Sequence, residues 1–196
     1  MFIMLDNLIK MSKTFLRFFC KSWYNATKEN EERMSKMSVT NEATVFGEVD
    51  SVDFAIYLNK KAHDLNIPVN VTKIQKWLYI CYGLYFAING EQLLTERPKA
   101  WDYGPVFPRV HKRQKKNNNS LDNLSTGIPL EKLKKYDDVI QATLKNFGDW
   151  TANELVAWTH EDGKAWSKTY HLLDAKYAPM DNHDISLDFK SLFTNG

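Results

Sequence analysis

Apolar and polar positions along the chain fall mostly into helical spacing. Phe15, Leu16, Phe18, Phe19 and Trp23 recur at intervals of three and four, with Lys13, Arg17 and Lys21 on the other side, which predicts an amphipathic helix over about 10–24. The following stretch, NATKENEERMSKMSVTNEAT, is polar enough to read as a linker. From Asp50 the pattern becomes regular. Asp50 or Ser51 can cap a helix carrying Phe54, Leu58 and Leu65 along one side, with Asn66 and Pro68 ending it. Thr72-Lys-Ile-Gln75 fits a capping box, so a long helix is expected over 73–89, stopped by Asn89-Gly90. Because that helix is apolar nearly all round after Lys76, it should be the central one.

Beyond it, segment 91–104 could supply a short strand or an extended arm, and Gly104-Pro105 is expected to open another helix. Asn117 to Gly127 reads as a loop, and Pro129 as the start of a helix to Phe147 with Leu130, Leu133, Tyr136, Val139 or Ile140, and Leu144 inward. Thr151-Ala-Asn-Glu154 is a second capping-box pattern, launching a helix to about Glu161, with a further helical turn at Trp166–Tyr170. The segment from Ile185 to Lys190 alternates apolar and polar, a strand-like period of two. The expected fold is mainly α: a single compact helical domain over 50–196, five or six helices around 73–89, to which a small two-stranded β ribbon could be added at one edge. Residues 1–49 form an N-terminal extension and linker. That extension is read as a leader ahead of a start at Met34 or Met37, as a docking segment for a partner or membrane surface, or as a helix packed back on the body.

Composition narrows the function classes. The 196 residues are 43% hydrophobic and 13% aromatic, which excludes disorder for most of the chain. Twenty-six basic against 24 acidic residues, net +2, is too even to mark a nucleic-acid binder by total charge. The two cysteines, Cys20 and Cys81, share no metal-type spacing, so a reducing, cytoplasmic setting is expected. The longest charge-free apolar run, Trp77 to Ile88, has 12 residues, fewer than the roughly 20 that span a bilayer.

Candidate chemistry is sparse. The histidines 63, 111, 160, 171 and 183 form no ligand spacing, and no nucleophile elbow or phosphate loop is present, so neither enzyme activity nor a cofactor or metal is expected. Cys81 sits in the most apolar helix, where burial raises a thiol's pKa. The concentrated charge is Arg109, Lys112, Arg113 and Lys116, at i, i+3, i+4 and i+7 on one helix face, with Lys115 as a fifth cation. Such a face can dock an acidic protein surface or neutralise phosphates, and can equally be a solvated helix side.

Three stretches together carry a resemblance: Asn70-Val-Thr-Lys-Ile-Gln-Lys-Trp-Leu-Tyr79, Lys99-Ala-Trp-Asp-Tyr-Gly-Pro-Val-Phe-Pro108, and Glu154-Leu-Val-Ala-Trp-Thr-His160 with Trp166 after it. In order and spacing they resemble the Panacea antitoxin domain, the family of SocA-like antitoxins and phage-associated proteins, over roughly residues 50–193. Trp77 stands where that family usually has leucine, and Gly163-Lys-Ala precedes Trp166 where proline is common. The resemblance implies an antitoxin that neutralises a neighbouring toxin by direct contact, without catalysis. Alternatives within it are a DNA-binding autoregulator of its operon, a phage protein countering host defence, and an adaptor delivering a toxin to a Clp-type protease. The matching positions are Gln75, Lys76 and Tyr79, then Trp101, Tyr103, Gly104 and Pro105, then Thr159, His160 and Trp166. Turn and core roles are expected for them. The partner surface is expected on Arg109, Lys112, Arg113 and Lys116 and on Phe15, Phe18, Phe19 and Trp23, since interfaces favour arginine and aromatics.

Overall fold

The computed structural model describes residues 47–172 and 175–194. The elements are α1 (Ser51–Asp64), α2 (Val71–Asn89), β1 (Lys99–Trp101), β2 (Gly104–Val106), α3 (Pro108–Lys116), α4 (Asp137–Phe147), α5 (Ala152–Thr159), α6 (Ala165–Ser167) and α7 (Asn182–Thr194), with two 3-10 turns before α4 and a π turn, Lys168–Leu172, after α6. The architecture is mainly helical with one small antiparallel ribbon.

α2 is the axis. Every side chain from Lys73 to Tyr82 is buried, and α7, α4, α5, α1, α3 and β2 all pack on it. Fully burying side chains of the size of Trp77 and Ile74 contributes about 1.5–3 kcal/mol each, so a helix apolar on all sides must be covered on all sides. Asn70 caps it, its side-chain oxygen accepting from Lys73 N at 2.9 Å, and Gly90 at φ 69° ends it. The capping box expected at Thr72 is therefore not made: the cap lies two residues earlier, and Gln75 is buried and used elsewhere. At the same end Lys73 Nζ donates to Gly148 O at 2.8 Å and Trp77 Nε1 to Phe147 O at 3.1 Å. Together they satisfy carbonyls at the end of α4.

α1 starts at Asp50, whose carboxylate accepts from Val52 N and Asp53 N. Phe54 and Leu58 are fully buried, but Leu65 is 56% exposed, because the helix has ended there and Asn66 turns left-handed at φ 57°. α5 opens with the capping box read from Thr151 and Glu154, and it stops at Thr159.

Three further expectations are corrected. Gly104-Pro105 does not open a helix: it is β2, paired with β1 in the register Lys99↔Val106, Ala100↔Pro105, Trp101↔Gly104. A ribbon strand with a free edge tolerates the missing proline amide, and α3 begins instead at Pro108, the next proline. Residues 129–136 are not α-helical but two 3-10 turns, Leu130–Lys132 and Lys134–Tyr136. Three residues per turn align Leu130, Leu133 and Tyr136; the last two are buried and Leu130 is left at the exposed end of that line. Ile185 to Lys190 is not a strand but the middle of α7, started by Asp181, whose Oδ1 accepts from His183 N and Asp184 N. Ile185, Ser186 and Phe189 are buried at helical spacing while Leu187 is 47% exposed, so the apparent alternation included a residue that faces water.

Candidate functional site

The motif residues, far apart in sequence, gather where α2, the ribbon and the end of α5 meet. Gln75 Oε1 accepts from Phe107 N at 2.8 Å, and its amide donates to Gln114 Oε1 at 3.0 Å, tying α2 to the start and last turn of α3. The next residue, Lys76, is 99% buried, and its Nζ donates to Pro105 O at 3.1 Å. Gly104, at φ 97°, sits on that ammonium: a Cβ there would stand 2.6 Å from Lys76 Nζ and 2.9 Å from Thr159 Oγ1. The glycine is thus required both by the turn and by the close approach. Pro105 supplies the carbonyl, and Thr159 donates back to Val156 O at 2.9 Å.

Beside Lys76 stands an aromatic stack. The His160 ring lies on Trp166 at 3.6 Å with the planes 2° apart, and Trp166 lies on Tyr170 at 4.7 Å. Trp166 Nε1 donates to Trp101 O at 2.9 Å, locking the stack to β1. Trp101 in turn meets His111 of α3 and Tyr177 edge-on at 5.2 and 5.8 Å. The segment holding Tyr177 is pinned along β1 through Tyr177 N to Ala100 O, Ala100 N to Ala178 O and Met180 N to Pro98 O. Tyr79 is separate from the cluster: it is buried against Phe189 of α7.

Burial dominates the electrostatics. It pushes the Lys76 ammonium down to about 7, and burial, with Lys76 and His171 nearby, pushes His160 down to about 4. His111 is lowered by burial and by Lys115. Two buried donor or acceptor atoms, Trp101 Nε1 and His160 Nε2, have no hydrogen-bond partner among the described residues. Burial also pushes the Cys81 thiol up to about 12, and its Sγ lies 3.2 Å from Thr143 Oγ1. Among the described residues no group of three or more His, Cys, Asp or Glu is placed to hold a metal ion, and no helix is long and apolar enough to cross a membrane.

Of the ten motif residues only Tyr103, at the tip of the ribbon, is exposed, at 78%. The rest, Tyr79 apart, build the junction. The cations of α3 differ from one another: Arg109 pairs with Asp50, the cap of α1, while Lys112, Arg113 and Lys116 are exposed and have no ion pair among the described residues. Phe15, Phe18, Phe19 and Trp23 lie outside the described residues. Sequence reading overlooked Gln114, His111 as a neighbour of Trp101, and Tyr177. His111 and Lys115 are an i,i+4 pair, a signal that was available; Tyr177 offers none, because only tertiary pairing brings it to β1.

Residues 74–167, which contain all ten motif positions, match the family described as Antitoxin SocA-like, Panacea domain. Among curated proteins, the Antitoxin SocA of Caulobacter vibrioides (strain NA1000 / CB15N) is 28% identical over 129 residues, covering 60% of this chain and 69% of that protein. No solved structure matches the chain. With the matched segment enclosing the whole Lys76, Gly104 and His160 junction, residues 74–167 are assigned to the SocA-like, Panacea-domain antitoxin family.

Proposed function

We propose that this antitoxin neutralises a cognate toxin, encoded beside it, by direct protein contact and without catalysis, using the exposed side of α3 as a principal part of the interface. The observation that carries this reading is the exposed cationic surface of Lys112, Arg113, Lys115 and Lys116, presented by a helix whose other side is anchored through buried Val110 and Gln114. A rigid helix holding several long cations in fixed register steers an acidic partner and fixes its orientation. The family junction beneath it is buried and serves as scaffold, so the surface that selects the toxin is free to differ from that scaffold.

The test is growth rescue in a host that carries the neighbouring toxin gene and lacks Clp-type protease. Contact neutralisation predicts rescue by the wild-type chain there, and loss of rescue for K112E/R113E/K116E at equal protein level. Failure of the wild type in that host, or full rescue by the triple variant, overturns the reading.

A further inference from the structure

The first turns of α2, the ribbon of β1 and β2, the His111–Lys115 side of α3 and the segment at Tyr177 enclose an open cleft of roughly 400 Å³ above Lys76. Its size falls in the range that takes a large side chain or a small ligand. Trp101, Tyr103 and Tyr177 form its aromatic walls, with His111 and Lys115 along one side. Tyr103 is 78% and Tyr177 52% exposed, so two of the large exposed apolar side chains among the described residues stand at this one place. Exposed aromatics clustered around a concavity are the usual anchor sites of interfaces.

The polar groups of the cleft are mostly donors. Lys76 Nζ reaches its floor with Pro105 O as acceptor, Lys115 stands at the rim, and Trp101 Nε1 is a buried donor with no acceptor. The acid in the lining, Asp102, is already engaged: Tyr170 OH and Tyr177 OH donate to its two carboxylate oxygens at 2.6 and 3.2 Å. An occupant therefore finds an exposed cation, Lys115, at the rim and the Lys76 amine, already donating to Pro105 O, at the floor, against aromatic walls. Its complement is an aromatic or apolar group next to a carboxylate. Lys115 also belongs to the exposed cations of α3, with Lys116 and Lys112 one and three residues away, so an occupant longer than one residue keeps meeting positive charge as it leaves the cleft. That continuity favours a polypeptide over a free small acid.

We propose that this cleft seats an aromatic side chain of an acidic segment of the partner protein, with an adjacent carboxylate held by Lys76 and Lys115. The proposal rests on the direct-contact reading above and names the point on which that contact centres.

The experiment is nitrogen-edited NMR of the purified full chain, following the Trp101 indole N–H. The probes are the peptide acetyl-Asp-Phe-Asp-Glu-amide and its neutral counterpart acetyl-Asn-Phe-Asn-Gln-amide. The acidic peptide is expected to shift the Trp101 signal saturably and to bind about tenfold tighter than the neutral one. K115M should remove most of that difference, and Y103A should weaken both peptides; both side chains are exposed, so the variants keep the fold. No shift with either peptide, equal binding of the two, or wild-type binding by Y103A and K115M overturns the cleft assignment. Peptide failure with rescue intact in the growth assay overturns the cleft alone, whereas loss of rescue in the Clp-deficient host overturns the reading beneath it.

Discussion

Replacing Lys76 with methionine isolates the energetic consequence of placing an ammonium inside the family junction. In the unfolded chain Lys76 keeps its proton up to about 10.5; in the folded protein burial brings that point down to about 7. Between these values the unfolded state binds one proton more, so this residue makes stability rise with pH from 7 to 10.5, and below 7 the full cost of a buried charge applies. At about 1.4 kcal/mol per tenfold, that cost is roughly 5 kcal/mol at pH 6 and falls to about 2 kcal/mol at pH 9, where the folded side chain is neutral. Methionine keeps most of the apolar stem and has no proton to lose. Its lost hydrogen bond to Pro105 O does not vary with pH in the variant and cancels when two pH values are compared. Urea denaturation of both proteins at pH 6 and pH 9 should therefore show K76M gaining about 3 kcal/mol relative to wild type at the lower pH. If the difference between the two proteins is the same at both pH values within about 0.5 kcal/mol, Lys76 is not held in a desolvated site and the electrostatic account of the junction is wrong.

Other outcomes follow from the packing. G83A places a Cβ about 2.0 Å from the Phe189 ring, so α7 must move off α2; a loss of roughly 3 kcal/mol or more is expected in thermal or urea melts, and an unchanged melt would contradict that contact. G104A should also destabilise, through its φ of 97° and the crowding of Lys76 Nζ, and a variant as stable as wild type would refute the close approach. T151A removes the cap of α5 and should lower stability by about 1 kcal/mol with no change in the denaturant slope. In a C20S background, Cys81 should resist iodoacetamide at pH 8 until denaturant is added; rapid labelling of the native protein would show the thiol is not in the core.

Much of this was readable where a local rule decided the structure. Asp50, Gly90 and the Thr151–Glu154 box are positions where one side chain satisfies or ends a helix, and they stand where the sequence put them. The central place of α2 followed from its lack of a polar side. The misreadings arise where tertiary contacts override local rules. Leu187 lent α7 a false strand period, and Gln75, a fitting partner for a cap at Thr72, is drawn instead to Phe107 N and Gln114. Pro105 was compatible with a helix start or with an unpaired ribbon edge, and only its pairing with Ala100 decides between them. The cationic side of α3 was legible from spacing alone. The cleft was not, since it needs Lys76, Trp101, Lys115 and Tyr177 from four separate segments.

Calorimetric titration of the purified chain with the proposed cognate toxin tests direct neutralisation through α3 most directly. The account predicts a saturable complex with the wild-type chain, weakened by about tenfold or more in K112E/R113E/K116E. A control with the same change in net charge, K132E/K134E/K145E, should bind as the wild type does. No complex with the wild type, or equal weakening by the two triple variants, would contradict it.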